Sequence, residues 1–341
     1  MIQYETIKQA MGVDVAVSQR MAQAIYRWSK MYINESSWLN DDVKGLNLPA
    51  AICSEMARLV TMESSINITG GSKAEMIKEG MQPFLNEISN YTEFACSTGG
   101  VVFKPYLSQK RIEIDVVRAG DFYPVEFNSA GEITAAIFPE FKRAGKNLYT
   151  RLEYHALQGD RYSIVNKAFI SKKAMVKTDD IVNLGQEINL EEVPEWSDIA
   201  PYVEFQNADR MLFSYFKIPL ANNTDIHSPL GVSIYARAVD QIRDADEQYG
   251  AVLWEYKSKE TAIQAADEFF RKNRQGEVIL PKGKERLYRA MGPNVMSKDG
   301  NPFFNAYSPE IREESFFNGD NRIIQKVEFN CGLAYGTLSD P

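Results

Sequence analysis

The chain of 341 residues holds few groups suited to turnover, and their spacing argues against most of them. Its two histidines, His155 and His227, lie about 70 residues apart. Neither sits in a His-Glu-x-x-His or Cys-x-x-Cys setting, so closely spaced zinc ligands are not expected. His155 falls within a strand-like run and reads as a sheet residue. His227 precedes a Ser-Pro pair and reads as a loop residue. Gly145-Lys146 and Gly283-Lys284 carry the Gly-Lys of a phosphate-cradling loop. Glu140 and Val278 stand where that loop needs its first glycine, so phosphate binding is unsupported. Gly231-Val232-Ser233-Ile234-Tyr235 imitates a nucleophile elbow, with Tyr235 in place of the second glycine and no parallel strand expected before it. Cys96, after Phe94-Ala95 near a helix end, reads as a small buried residue rather than a nucleophile. Gly70-Gly71 and Gly99-Gly100 read as turns. No acidic pair stands out as an acid/base couple. The expectation is a protein that is not an enzyme, with no catalytic, cofactor-binding or metal-ligating residue and no cofactor.

Composition agrees with an ordinary globular protein of about two domains. Hydrophobic residues are 44% and charged residues 25%, and the net charge is −8. That acidity speaks against a reader of DNA sequence, which usually presents a basic face. Cys53, Cys96 and Cys331 are far apart and odd in number, so no disulfide framework is expected. The first ten residues lack an apolar signal core, and no run nears the roughly 18 apolar residues of a membrane helix. The chain reads as cytoplasmic and not membrane-bound. Residues 257–290 depart from the average. They hold nine basic and five acidic residues, a balance of +4 that leaves −12 for the rest. This segment reads either as a solvated hairpin or as a contact surface for an acidic partner or a nucleic-acid backbone.

The elements that would position these groups follow from periodicity. Residues 12–97 look helical. Met21, Ile25, Trp28 and Tyr32 make one apolar stripe; Pro49 opens a second helix lined by Ile52, Met56, Leu59 and Val60. Ser72 is the expected N-cap of a third, which Pro83 breaks or restarts. From residue 100 the period shortens to two. One antiparallel sheet of about six strands is expected over residues 100–171, with turns at Asn128–Gly131 and Gln158-Gly159-Asp160. Further strands are expected to residue 218, after an acidic loop. Ser228-Pro229 then reads as N-cap and N1 of a long helix over 229–257, with Ile234, Ala238, Ile242, Ala245, Tyr249, Val252 and Tyr256 along one face. Ser308-Pro309 repeats that cap before a second long helix ending at Gly332, with a kink allowed at Gly319. The chain stops at Ser339-Asp340-Pro341, where nothing is expected to dock it, and reads as truncated.

This order of elements, together with particular stretches, resembles the portal proteins of tailed bacteriophages, in the branch common in siphophages of Gram-positive hosts. The stretches are Ala22–Tyr32, Leu46-Asn47-Leu48-Pro49 leading to Glu55–Val60, Gly99–Tyr106, and Asp121-Phe122-Tyr123-Pro124. They continue with Pro219–Asn223, Ser228–Ser233, Ala245-Asp246-Glu247 and Gly332–Ser339. The resemblance runs from about residue 12 to the end. It implies an α+β, portal-like fold: a wing over 1–227 (helices 12–97, mixed sheet 100–218), stem helices over 228–257 and 308–332, a small α/β clip over 258–307, and a truncated channel loop from 333.

It further implies a homo-oligomeric ring, typically of twelve copies, at one capsid vertex in the virion, assembled in the host cytoplasm or encoded by a prophage. Double-stranded DNA passes through it without sequence recognition. The implied partners are the terminase large subunit, head-completion and connector proteins, scaffold and major capsid protein. Lys282, Lys284 and Arg286 are the expected clip contacts. Tyr335, Thr337 and Leu338 are expected to start the channel loop, and Ile234, Ala238, Ile242, Tyr249 and Val252 to pack the stem. Two other readings stand beside this one: a phage-associated hydrolase or nuclease with an unrecognised cleft, and an adaptor binding an acidic partner through its basic insert.

Overall fold

A computed structural model describes residues 2–108, 111–172, 182–258, 262–265, 273–275, 288–290, 304–307 and 313–340. The chain is mixed α+β and divides into two compact units. The first comprises Met1–Ser37, Asn47–Val239 and Asn330–Leu333; the second comprises Trp38–Leu46, Asp240–Phe329 and Ala334–Pro341. No helix among the described residues is long and apolar enough to cross a membrane.

The first unit begins with five helices. α1 (Tyr4–Met11) precedes the expected helical start and ends at Gly12, in the left-handed region with φ +74°. In α2 (Gln19–Tyr32) the Ser18 hydroxyl accepts the Met21 N–H at 3.0 Å, satisfying one orphan donor of the first turn. Its buried stripe is Met21, Ile25, Trp28 and Met31. Tyr32 is half-buried and donates to Glu93 at 2.7 Å instead. α3 (Leu48–Met62) carries Pro49 in its first turn, as expected. It buries Ile52, Cys53 and Ala57, whereas Leu59 and Val60 are exposed. The expected stripe had taken them inward. α4 (Ser72–Asn86) starts at Ser72 itself, with Gly71 as N-cap, and passes through Pro83; α5 (Ile88–Thr98) follows at once.

The six expected strands are present: β1 (Gly100–Ser108), β2 (Arg111–Arg118), β3 (Tyr123–Phe127), β4 (Ile133–Ala144), β5 (Asn147–Gln158) and β6 (Arg161–Ser171). They are antiparallel but belong to two sheets. With β7 (Gln186–Ile188), β8 (Tyr202–Phe205) and β9 (Ser214–Lys217), the orders are β2-β1-β9 and β3-β4-β5-β6-β7, with β8 also on β6. Alternation marks a strand's faces and says nothing of its neighbours. Gly145-Lys146 is the two-residue loop of the β4–β5 hairpin, with Ala144 opposite Asn147, and Gly145 has φ +60°. The resemblance of this pair to a phosphate loop is therefore a turn requirement. Ile2, Ile7, Tyr123, Ile137, Leu152 and Phe169 form one buried cluster, and Val102, Phe122, Phe138 and Phe213 another.

The stretch 228–238, expected to open the long helix, is not helical; α6 runs over Val239–Ser258. Tertiary bonds of backbone and side chain hold this stretch. The Ile234 N–H donates to the Cys96 carbonyl at 3.0 Å, and the Tyr235 hydroxyl donates to the Trp28 carbonyl at 2.7 Å. Gly231 lies so close to Gly99 that a Cβ on either would overlap the other's backbone. Ile234 and Ala238 are thus buried in this turn and are not helix-face residues.

In the second unit, α6 and α7 (Glu313–Cys331) flank a small mixed sheet. Its central strand β10 (Ala262–Ala265) pairs parallel with β11 (Tyr288–Ala290) and antiparallel with β12 (Phe304–Tyr307). At 1.5 Å per residue α6 is roughly 30 Å long. Trp38–Leu46 is tied to α6 through Asp246, whose carboxylate accepts the Trp38 indole N–H and the Leu46 N–H, each at 2.8 Å. A Cβ at Gly250 would come within 2.7 Å of the Asp42 carbonyl, so this close approach requires glycine. α7 runs unbroken past Gly319 and ends at Gly332 (φ +73°), the expected C′ residue. Ser308-Pro309 lies outside the described residues.

Candidate functional site

Two polar constellations stand out, one in each unit. The first is built on β5 and β6 with help from β1. In β5 the side chains of Arg151, Glu153 and His155 alternate onto one face. The Lys104 ammonium of β1 reaches the Glu153 carboxylate at 2.6 Å, and His155 Nε2 lies 3.1 Å from its other oxygen. His155 Nδ1 and the Tyr162 hydroxyl are 2.6 Å apart. In the tautomer with Nε2–H toward the carboxylate, Nδ1 accepts the tyrosine hydroxyl. Arg151 donates twice to Glu140, at 2.7 and 3.0 Å, and once to Asn166 at 2.8 Å. The Trp196 indole donates to the other Glu140 oxygen at 3.0 Å. Burial pushes the Glu153 carboxyl up, but His155, Lys104 and Arg151 outweigh it and hold the group well below the usual carboxylate range. Burial also drives the Tyr162 hydroxyl far above its ordinary value. Three cavities of the first unit, of about 690, 490 and 760 Å³, are lined by other residues, so His155 faces none of them.

The second constellation closes the C-terminal segment onto α7. The Glu328 side chain is almost fully buried. Its Oε1 accepts the N–H groups of Leu338 and Ser339 at 2.5 and 2.8 Å; its Oε2 accepts the Ser339 hydroxyl at 2.8 Å and the Gly336 N–H at 3.3 Å. One turn and two turns earlier, Gln325 donates to the Tyr335 hydroxyl at 2.8 Å, and Asn321 exchanges two bonds with the Asp340 backbone. Burial raises the Glu328 carboxyl, and the surrounding N–H and O–H donors more than offset this, leaving it below the usual range. The segment expected to hang free is therefore docked. Tyr335, Thr337 and Leu338 do come together there: Thr337 bonds the Ala334 carbonyl, and Leu338 binds Glu328 through its backbone.

The other sequence candidates are dispersed. Ile242 and Val252 are buried on α6, Tyr249 is half-buried, and Tyr256 is exposed. Lys282, Lys284 and Arg286 lie outside the described residues. Cys53, Cys96 and Cys331 are free and buried; burial pushes the Cys96 and Cys331 thiols up to about 12, which leaves almost no thiolate at neutral pH. The Ser233 hydroxyl is spent on the Cys96 carbonyl, and the exposed His227 bonds Asp225 through its backbone. In the sequence His155 stands out by its rarity, whereas Glu140 and Glu153 do not stand out among 46 acidic residues. The alternation Arg151-x-Glu153-x-His155 was the available signal. No known protein-family model matches the chain, and a search of curated proteins finds no match.

Proposed function

We propose that this chain is a portal subunit of a tailed bacteriophage, a structural protein whose copies close into a ring through which double-stranded DNA is packaged and ejected. The observation that carries the reading is the order within the second unit. A 20-residue helix, a small three-stranded mixed sheet and a 19-residue helix follow one another. This is the stem–clip–stem order of that family, preceded, as there, by helices and antiparallel sheets. Exposed aromatic residues on both long helices support it. Trp254 is 67% and Phe329 85% exposed, surface that a ring of identical neighbours would cover. The charge suits a conduit. Each phosphate neutralised adds affinity, so a net acidic body lets DNA slide. In this reading the segment between α6 and α7 meets the terminase motor and the connector proteins, and scaffold and capsid proteins surround the ring at its vertex.

The test is the mass and shape of the purified protein by light scattering and negative-stain imaging. Closed rings with an axial hole are expected. A monomer at every concentration and salt, also when scaffold and capsid protein are supplied, would contradict the reading. Reversing Lys282, Lys284 and Arg286 to Glu is expected to impair packaging while leaving the fold intact.

A further inference from the structure

A cleft in the first unit has the form of a peptide-binding trough. Its one wall is α4, which presents Met76, Glu79, Pro83 and Phe84 at helical spacing and Glu87 at its end. The other wall is Arg111–Ile114 of β2. β2 pairs with β1 alone among the described residues, so it is an edge strand. Gly80 lets the two walls meet, because a Cβ there would stand 3.1 Å from the Ile112 carbonyl oxygen. The cleft holds about 690 Å³. From Met76 to Glu87 the helix advances roughly 16 Å, room for about five extended residues at 3.3 Å each.

Its chemistry is two-sided. The floor is apolar: Phe84 is buried and stacks with Tyr91 at 5.2 Å, and Ile112 and Ile114 are half-buried. The rim is acidic. Glu79, Glu87 and Glu113 are all exposed, against Arg111 as its one guanidinium. Tyr106, 46% exposed, is turned onto this rim by its 2.8 Å bond to Glu113 and offers a ring face to a cation. An extended chain sends alternate side chains to opposite sides. We infer that the trough docks an extended segment of a partner protein in which Lys or Arg alternates with apolar residues, the apolar side chains meeting the floor and the cations the three carboxylates. This surface is built from α4, β1, β2 and the start of α5 of the first unit.

A labelled ten-residue peptide alternating Lys and Val, followed by fluorescence anisotropy at 50 mM salt, tests it. Saturable binding is expected. It should weaken at least tenfold in the folded triple variant Glu79→Lys, Glu87→Lys, Glu113→Lys, and at least tenfold for a Lys/Ser peptide of equal charge. Absence of saturable binding, equal binding by the triple variant, or equal binding of the Lys/Ser peptide would each overturn the proposal. So would a triple variant that alters the protein's own mass by light scattering while binding the Lys/Val peptide unchanged, since the trough would then belong to a second copy of this chain.

Discussion

Glu153, largely buried, and Glu328, fully buried, are both carboxylates held below their ordinary pKa, and they reach that state by opposite means. Glu153 sits among side chains: an ammonium from β1, an imidazole two residues along its own strand, and the edge of an Arg151 guanidinium at 3.7 Å. Glu328 is surrounded by a loop's own backbone, with three N–H groups and one hydroxyl as donors. The first solution ties two sheets together through Lys104. The second pins seven residues to one helix. A charge met by charges on rigid strands is a property of the whole unit, whereas a charge met by backbone donors shapes only the loop that supplies them.

The largest effect is expected at Glu153. Glu153→Leu leaves Lys104 largely buried without its acceptor and should cost about 3–4 kcal/mol of global stability in urea melts. Adding Lys104→Met should return about 2 kcal/mol, because an apolar pair can replace an ionic one. Glu328→Ala should cost about 2 kcal/mol and act locally. The amides of Gly336, Leu338 and Ser339 should lose hydrogen-exchange protection, and trypsin-independent proteases should cut within 334–340. A larger loss of global stability from Glu328→Ala than from Glu153→Leu would overturn the distinction.

Acid probes both groups in the same direction. A carboxylate depressed in the folded state contributes in full above its unfolded pKa of about 4.3 and loses that contribution as pH falls through the folded value. Wild-type stability should therefore hold from pH 8 to about 5 and fall below about 4. Glu153→Leu and Glu328→Ala should each flatten that decline in acid urea titrations. The smallest effect is expected from Ser339→Ala, about 1 kcal/mol, because the hydroxyl is one donor of four and the backbone bonds survive.

Much of this architecture is legible in the residues. Pro49 does open α3, Gly99 and Gly332 do end helices, and the period-two run from 100 to 171 does give six strands. What misled was local chemistry that tertiary contacts overrule. Ser228-Pro229 has the residue types of a cap, yet Ile234 and Tyr235 give their donors to Cys96 and Trp28, and the helix waits until Val239. Leu59 and Val60 continue an apolar pattern on the face of α3 that stays exposed. The Glu328 clasp was illegible for a different reason. Its donors are N–H groups, which every non-proline residue has, so no residue type announces them. The acidic rim of the α4–β2 trough was hidden as well, because Glu79 and Glu113 meet only once a helix and an edge strand are brought together.

The bond from Tyr235 to the Trp28 carbonyl joins residues 207 positions apart. On a ribosome adding 5–20 residues per second, Trp28 is made about 10–40 s before its tyrosine. In that interval the groove that will receive the 230–238 turn stands open, and Cys53 and Cys96 are made long before the lid over their core. The first unit thus receives this turn only after every one of its strands has been made, and the nascent protein must keep an unfinished core soluble for most of its synthesis.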